Sequence, residues 1–349
     1  MTDLKANNNF DKPIFIWLLS GCFLVFLMVV IGGITRLTGS GLSITEWKVI
    51  MGTLPPLNET EWLEAFEKYK QIPQFKLINH YFSLSDFKFI FFWEWFHRLI
   101  GRVIGLVFII PFLYFWIKGR INKNLLPKLI IIFLLGGLQG FLGWFMVSSG
   151  LSQLTYVSHF RLAAHLITAF ATFGFIFWIA LDVYKQRQNN IVEQKKNIRL
   201  WRWFFSLLIL QIIYGAFVAG LHAGFEINTW PLMNGKLFFT DSFSDNGLLY
   251  NLLNNKSGVQ IVHRYLAYAV VVSTILFALK LKKYHLNLVK ASNILVIAVS
   301  FQFILGILTI LFINIDTWKV TLGVLHQSGA FILFASYIYA LHKIRLIEN

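Results

Sequence analysis

The sequence has little cysteine and little charge, and both shortages restrict what the protein can be. Cys22 is its only cysteine. One thiol excludes an intramolecular disulfide, a cysteine-rich metal site and covalent haem attachment through a Cys-x-x-Cys-His motif. Charged residues make up 13% of the 349 residues and hydrophobic residues 57%. Soluble domains carry about 25% charged residues, so this composition indicates a polytopic membrane protein.

Eight apolar runs of membrane-spanning length account for most of the chain. About 20 apolar residues cross a bilayer as a helix. The first run lacks a small-residue cleavage site, so we expect it to be retained as a helix. The predicted spans are Ile14–Ile34, Phe89–Ile117, Leu129–Val147, His159–Val183, Leu200–Ala219, Val259–Leu279, Ala291–Ile313 and Val320–Leu341. The predicted fold class is therefore all-α, with eight transmembrane helices.

The connectors between these runs predict their orientation. An even number of spans puts both termini on one face, together with the basic connectors 118–128, 185–202 and 280–290. Connectors rich in Lys and Arg mark the cytoplasmic side, so both termini are predicted to be cytoplasmic. The net charge of +15 is thus explained by topology, and a nucleic-acid partner is not indicated. The other face carries two long loops, 36–88 and 220–258.

The second half of the chain repeats the first. Spans two and six begin with His-Arg, spans four and eight each carry one early His, and spans three, five and seven share Gln-x-x-x-Gly. This pattern predicts two pseudo-repeated four-helix bundles in parallel order, residues 1–184 with the long outer loop 36–88 and residues 185–349. For the Gln-x-x-x-Gly motif alone, close packing of membrane helices is the favoured explanation.

Four histidines occupy equivalent positions of this repeat. Each lies about four to eight residues from the outer end of its span, so all four have a similar depth in the membrane. The four are His97 and His165 in the first half, and His263 and His326 in the second. Facing imidazoles at one depth are what axial coordination of a haem iron requires. A lone buried His more often bonds to a polar neighbour, but four equivalent ones favour two bis-His haem sites.

Four arginines lie near these histidines at the outer mouth of the predicted bundle. The candidates are Arg98, Arg102, Arg161 and Arg264. A guanidinium group binds carboxylates through two parallel hydrogen bonds, which suits the two propionates of a haem. Snorkelling of the side chain toward lipid headgroups explains any one of them equally well.

One carboxylate breaks the repeat. Glu94 lies three residues before His97, whereas Gln260 takes that place before His263. Only the first half therefore combines a carboxylate with its histidine pair, which suggests that this half performs chemistry. A carboxylate there can accept a proton, orient water or stabilise a developing cation. The alternative is a structural salt bridge to Arg98, one helical turn further on.

Several motifs together resemble the haem A synthase family, in its alpha-proteobacterial and mitochondrial branch. The resemblance covers nearly the whole chain. It depends on the runs Gly33–Ile44, Glu46–Lys48, Phe91–Arg102, Arg161–Leu166 and Asn228–Gly235, and on the pairs His263-Arg264 and His326-Gln327. It implies a bacterial inner-membrane enzyme that oxidises a methyl group of haem O to the formyl group of haem A. The oxygen would come from water, and the product would serve cytochrome oxidases.

The resemblance also implies roles for the paired histidines. His97 and His165 look like ligands of the substrate haem, with Glu94 essential for catalysis. His263 and His326 look like ligands of a non-covalently held haem B that relays electrons. The implied partners are haem O and membrane lipid. Contacts with a haem O synthase, with cytochrome oxidase assembly factors and between copies of the chain are left open.

Two other classes of membrane protein compete with this interpretation. A di-haem b-type electron carrier would use the same histidine pairs without modifying its haems, and Glu94 argues against it. A transporter would account for the parallel repeats and the basic inner face, but leaves the four histidines at equal depth unexplained.

Overall fold

Eight long helices dominate the computed structural model, which describes residues 11–46, 51–152, 155–185, 199–284 and 286–348. The membrane-length helices are α1 (Lys12–Leu37), α4 (Leu84–Ile117), α5 (Leu126–Ser152), α6 (His159–Lys185), α7 (Arg199–Gly220), α9 (Lys256–Tyr284), α10 (Val289–Leu311) and α11 (Asp316–Glu348). All eight are long and apolar enough to cross a membrane. The prediction of an all-α, multi-pass membrane protein is confirmed.

The predicted spans were right in number and order, but most helices extend beyond them into polar sequence. Helix α4 begins at Leu84, five residues before the predicted Phe89. A capping box fixes this start: Ser83 Oγ accepts a hydrogen bond from the Asp86 backbone N–H, and the Asp86 carboxylate accepts one from Ser83 N–H. Hydropathy does not detect a polar first turn, which explains the late prediction.

The long outer loop 36–88 contains two helices that hydropathy did not predict, α2 (Glu59–Lys70) and α3 (Pro73–Leu77). A chain of side chains ties them to the turn after α1. Asn79 Nδ2 donates to Tyr69 Oη (2.8 Å), Tyr69 Oη donates to Gln74 Oε1 (3.0 Å), and Gln74 Nε2 donates to the Gly39 carbonyl (3.2 Å). Burial raises the pKa of Tyr69 to about 12, so its hydroxyl stays protonated as a donor. The second outer loop contains α8 (Leu248–Asn254).

Helix packing joins the two halves of the chain side by side. Helix α1 packs against α4, α6 and α11, and α7 packs against α6 and α9. The first helix of each half therefore contacts the last helix of the other half. Helices α6 and α11 are the most buried of the spans, whereas α4 and α5 are the least buried. Many apolar side chains of α4 and α5 are exposed, as is expected of helices that contact lipid.

Candidate functional site

All four predicted histidines line one large cavity among the eight long helices. Its volume is about 1640 Å³, and every long helix contributes to its wall. Glu94, Arg98, Arg102 and Arg264 also line it, whereas Arg161 is not among its lining residues. The two predicted sites are thus regions of one continuous space between the halves.

The second-half histidines face each other across this cavity. The ring centroids of His263 and His326 are 6.5 Å apart, and their planes are perpendicular within one degree, at 89°. An imidazole nitrogen binds a transition metal at about 2 Å, so rings on opposite sides of one metal have centroids roughly 6 to 6.5 Å apart. The pair therefore has the separation needed to hold one iron through two axial nitrogens, as in a bis-His haem.

Each of the four histidines lies against a glycine on the neighbouring helix. A Cβ atom added to the glycine would lie 3.0 to 3.4 Å from the histidine Cε1. The pairs are Gly32 with His97, Gly143 with His165, Gly215 with His263, and Gly306 with His326. Three of these glycines belong to the Gln-x-x-x-Gly motif. General helix packing was the favoured explanation from sequence, but in this structure the glycine makes room for an imidazole ring.

The glutamines of that motif distinguish the two halves. Gln302 Nε2 lies 3.1 Å from His326 Nδ1, and Gln211 Nε2 lies 3.5 Å from His263 Nε2. An amide oxygen that faces Nδ1 accepts a hydrogen bond from the Nδ1–H group, which leaves the unprotonated Nε2 free to bind a metal. Rotation of the Gln302 amide achieves this, and its Oε1 has no other partner within the described chain.

The Nδ1 atoms of the first-half histidines lack a contact like that between Gln302 and His326 within the described residues. Within the described part of the chain, the Nδ1 atoms of His97 and His165 are buried without a hydrogen-bond partner. Gln139 Nε2 is likewise unpartnered there. The position four residues before Gly32 holds Met28, which cannot donate a hydrogen bond as a glutamine does. His263 Nδ1 is unpartnered in the same way, because Gln211 contacts its Nε2. Among the described residues, the contact of Gln302 with His326 Nδ1 therefore distinguishes the second half.

Glu94 is buried at the edge of the cavity, with 3% of its surface exposed. Arg98 Nη2 donates to its Oε1 (2.6 Å). Its Oε2 accepts hydrogen bonds from Ser43 Oγ (2.7 Å) and from the Ile44 backbone N–H (2.9 Å). The salt bridge considered from sequence is present. Because three donors bind its two oxygens, the carboxyl group is held in one orientation in the wall of the cavity.

The second half reproduces this arrangement with a neutral amide. Gln260 Nε2 donates to the carbonyls of Ala223 (3.2 Å) and Ile227 (2.9 Å), and its Oε1 accepts from Arg264 Nη2 (3.2 Å). The residue three positions before each His-Arg pair, Glu94 or Gln260, thus anchors the outer loop of its own half. The polarity differs, because Gln260 Nε2 donates to loop carbonyls, whereas both oxygens of Glu94 accept from donors.

The four candidate arginines differ in their surroundings. Arg98 donates to the carbonyls of Ile44 and Glu46, and Arg264 donates to those of Ile227 and Thr229. These equivalent arginines hold the outer loops at the cavity mouth. The remaining candidate on α6, Arg161, lies 3.8 Å above the ring of Phe145 and donates to its carbonyl, directed away from the cavity.

Arg36 was not identified from sequence, although it lines the cavity at the end of α1. Arg36 is a charged residue at the outer end of an apolar helix, which is the same kind of pattern that identified Arg98. Arg102 also lines the cavity, one turn beyond Arg98. Both arginines lie on helices of the first half, α1 and α4.

The other histidines have separate environments. His222 lines the cavity and packs on the Tyr156 ring, with centroids 4.2 Å apart. Burial, followed by the nearby cations of Arg36, Lys256 and Lys319, lowers the pKa of His222 to about 3, so its ring is neutral. His159 also lines the cavity, and its Nε2 lies 3.0 Å from the Leu253 carbonyl. The remaining three are His80 beside Tyr81, His342 beside Asp182, and His285, which lies outside the described residues.

Comparison with known proteins agrees with the resemblance seen in the motifs. The sequence profile of the COX15-CtaA family, described as cytochrome oxidase assembly protein, matches residues 15–338. A protein named Heme A synthase from Flavobacterium psychrophilum is 51% identical over 339 residues, covering 95% of this chain and 98% of that one. Its namesake from Flavobacterium johnsoniae is 48% identical, with coverages of 96% and 98%. Another from Rhodospirillum centenum is 44% identical, with coverages of 97% and 90%. The chain therefore belongs to the cytochrome oxidase assembly protein family.

Proposed function

We propose that this protein is a haem A synthase, which oxidises a methyl group of haem O to the formyl group of haem A for cytochrome oxidase. The observation that carries the proposal is one cavity with two repeat-equivalent histidine pairs, of which only the first has a carboxylate beside it. Relatives at 44 to 51% identity over nearly their full length bear the name Heme A synthase. The required oxygen comes from water in this proposal.

The halves take different haems. In the proposal, residues 1–184 form the substrate half, with His97 and His165 as ligands of haem O. Residues 185–349 form the electron-relay half, with His263 and His326 as ligands of a resident haem B. The contact of Gln302 with His326 Nδ1 supports this division, because an outer-shell hydrogen bond strengthens a histidine ligand and favours permanent retention. A substrate must leave after reaction, which suits histidines without such contacts.

The side chains around the substrate ring have distinct tasks. Glu94 provides a carboxyl group three residues before His97, and its three hydrogen-bond donors hold it in place. This arrangement favours electrostatic stabilisation of developing positive charge over proton uptake by Glu94. When bound, haem B supplies the one-electron redox chemistry that removes electrons from the site.

The arginines at the mouth hold the propionates and the loops. We assign Arg102 and the newly identified Arg36 to the propionates of the substrate, since both line the cavity and belong to helices of the first half. Arg98 and Arg264 remain candidates, but their bonds to loop carbonyls already occupy several donors. Arg161 is the weakest of the candidates because of its contact with Phe145.

The basic connectors support a location in the bacterial inner membrane with both termini in the cytoplasm. The histidine sites then lie near the outer leaflet. Haem O arrives from the membrane, and a haem O synthase is the class of enzyme that must supply it. Cytochrome oxidase assembly factors are the class that must receive the product.

The test is pigment extraction from a host that makes haem O but no haem A. Expression of the wild-type chain is expected to yield haem A, and the His97→Ala variant is expected to yield only haem O. A di-haem electron carrier would retain haem B in the purified protein without forming haem A in either strain. That outcome would refute the proposed synthase activity.

A glycine beside a second-half ligand provides a second, smaller test. Gly306→Ala places a Cβ atom 3.0 Å from His326 Cε1, so the ring must shift. We expect haem B affinity to fall about 10-fold or more, as for the loss of an outer-shell contact. Because Gly→Ala in a helix otherwise raises stability, thermal unfolding should not weaken in parallel. Haem content by haemochrome assay checks this, with Gly137→Ala as the control: its added Cβ meets nothing within 4 Å.

A further inference from the structure

The two halves differ in how tightly their second and third long helices pack. In the second half, α9 and α10 are in close contact along the cavity. In the first half, α4 and α5 have few contacts with each other. Helices α4 and α5 are also the least buried of the eight long helices. We call the loosely packed boundary between them the seam. This seam leads from the cavity toward the lipid.

Particular residues account for this difference. Counted back from the equivalent Gly143 and Gly306, Gly140 in the first half corresponds to Phe303 in the second. The ring of Phe303 contacts that of Tyr268 on α9, with centroids 5.7 Å apart. This ring contact bridges the second-half seam.

Glycine leaves the first-half seam open at two levels. Gly140 and Gly136 both line the cavity, and both are exposed. A Cβ atom added to either would meet nothing within 4 Å. Val299, which is 1% exposed, occupies the second-half position equivalent to Gly136. The cavity wall therefore has space in the first half where the second half has packed side chains.

The depth of the opening suits an apolar chain. Helix α5 runs outward, so Gly140 and Gly136 lie about 5 Å and 10 Å inward of Gly143, the glycine beside His165. The apolar side chain of Ile104 on α4 also lines the cavity. A substituent that extends sideways from a ring held at His165 would pass between the helices into the hydrocarbon region.

We propose that the seam between α4 and α5 is the lateral passage for the isoprenoid tail of the substrate haem. This proposal depends on the proposed function, since it assumes a haem O ring between His97 and His165. The closed seam between α9 and α10 matches a resident haem without such a tail. The same difference lets substrate and product exchange with the membrane in one half only.

The test copies the second half into the first. A variant with Gly140→Phe and Gly136→Val carries the side chains found at 303 and 299. The protein is purified with its resident haem, and binding of haem O and of tail-free protohaem to the first half is titrated optically. We expect the dissociation constant for haem O to rise about tenfold or more, because the tail now meets packed side chains. Protohaem binding should stay within about twofold of wild type.

A matched control separates the seam from general damage to α5. Gly137→Phe adds the same ring on the same helix, at an exposed position outside the cavity lining. This control should bind both haems like the wild type. Equal losses of haem O and protohaem in the seam variant would overturn the proposal, and so would unchanged haem O binding. Loss of the proposed function would be recognised separately, since His97→Ala would then leave wild-type haem O binding intact.

Discussion

His263→Ala is expected to release the resident haem almost completely. Loss of an outer-shell partner alone lowers metal affinity about 10- to 100-fold, so loss of an axial ligand should lower haem affinity by about 100-fold or more. The 6.5 Å separation of the His263 and His326 rings suits two ligands that would share one iron, so either substitution would leave a single protein ligand. The purified variant should lack the low-spin spectrum of a bis-His haem.

The measurement is haem per polypeptide, together with the optical spectrum, for each single-histidine variant. His326→Ala should match His263→Ala, whereas His97→Ala should retain the resident haem and lose haem O oxidation. His80→Ala is the control, because His80 lies in the outer loop beside Tyr81. Full retention of the resident haem in His263→Ala would show that this pair does not bind it.

Hydropathy was sufficient to predict the membrane helices, because a bilayer imposes a length and an apolar composition on each span. It could not predict α2, α3 and α8, since these short helices depend on contacts such as that between Tyr69 and Gln74. The family resemblance was confirmed by the comparisons. The division into halves and the individual site residues remain predictions.

The candidate histidines could be predicted from the sequence, because they occupy equivalent positions of the repeat and therefore have a similar predicted depth. Their surroundings were not visible, because they depend on which helices are neighbours. The Gln-x-x-x-Gly motif illustrates this limit. A glycine four residues after a glutamine reports only a shared helix face, and the partner ring of Gly306 comes from another helix, 20 residues away at His326. The open seam beside Gly140 depends in the same way on the relative packing of two helices.

Glu94→Gln is expected to reduce formyl formation about 10²- to 10³-fold, the usual effect of removing one electrostatic stabiliser from an active site. The substitution removes a charge while preserving shape. Gln260 already fills the equivalent place, with hydrogen bonds to Arg264 and to two loop carbonyls. The loop groups at 94 are donors, from Ser43 and Ile44, so an amide there keeps only part of the loop contact. The loss of activity in Glu94→Gln is therefore compared with that in Glu94→Ala, which removes the whole contact.

The comparison of variants separates charge from loop anchoring. Glu94→Gln should keep the resident haem spectrum and the binding of haem O through His97, with the defect in turnover rather than in affinity. Glu94→Ala removes the acceptor for Ser43 and Ile44 as well, so it should also weaken the outer loop and haem O binding. Rates of haem A formation and titrations of haem O on both variants supply the two readouts. Wild-type formyl formation in Glu94→Gln would assign Glu94 the anchoring role that Gln260 performs in the other half, and the source of the catalytic charge would then have to be sought elsewhere in the cavity.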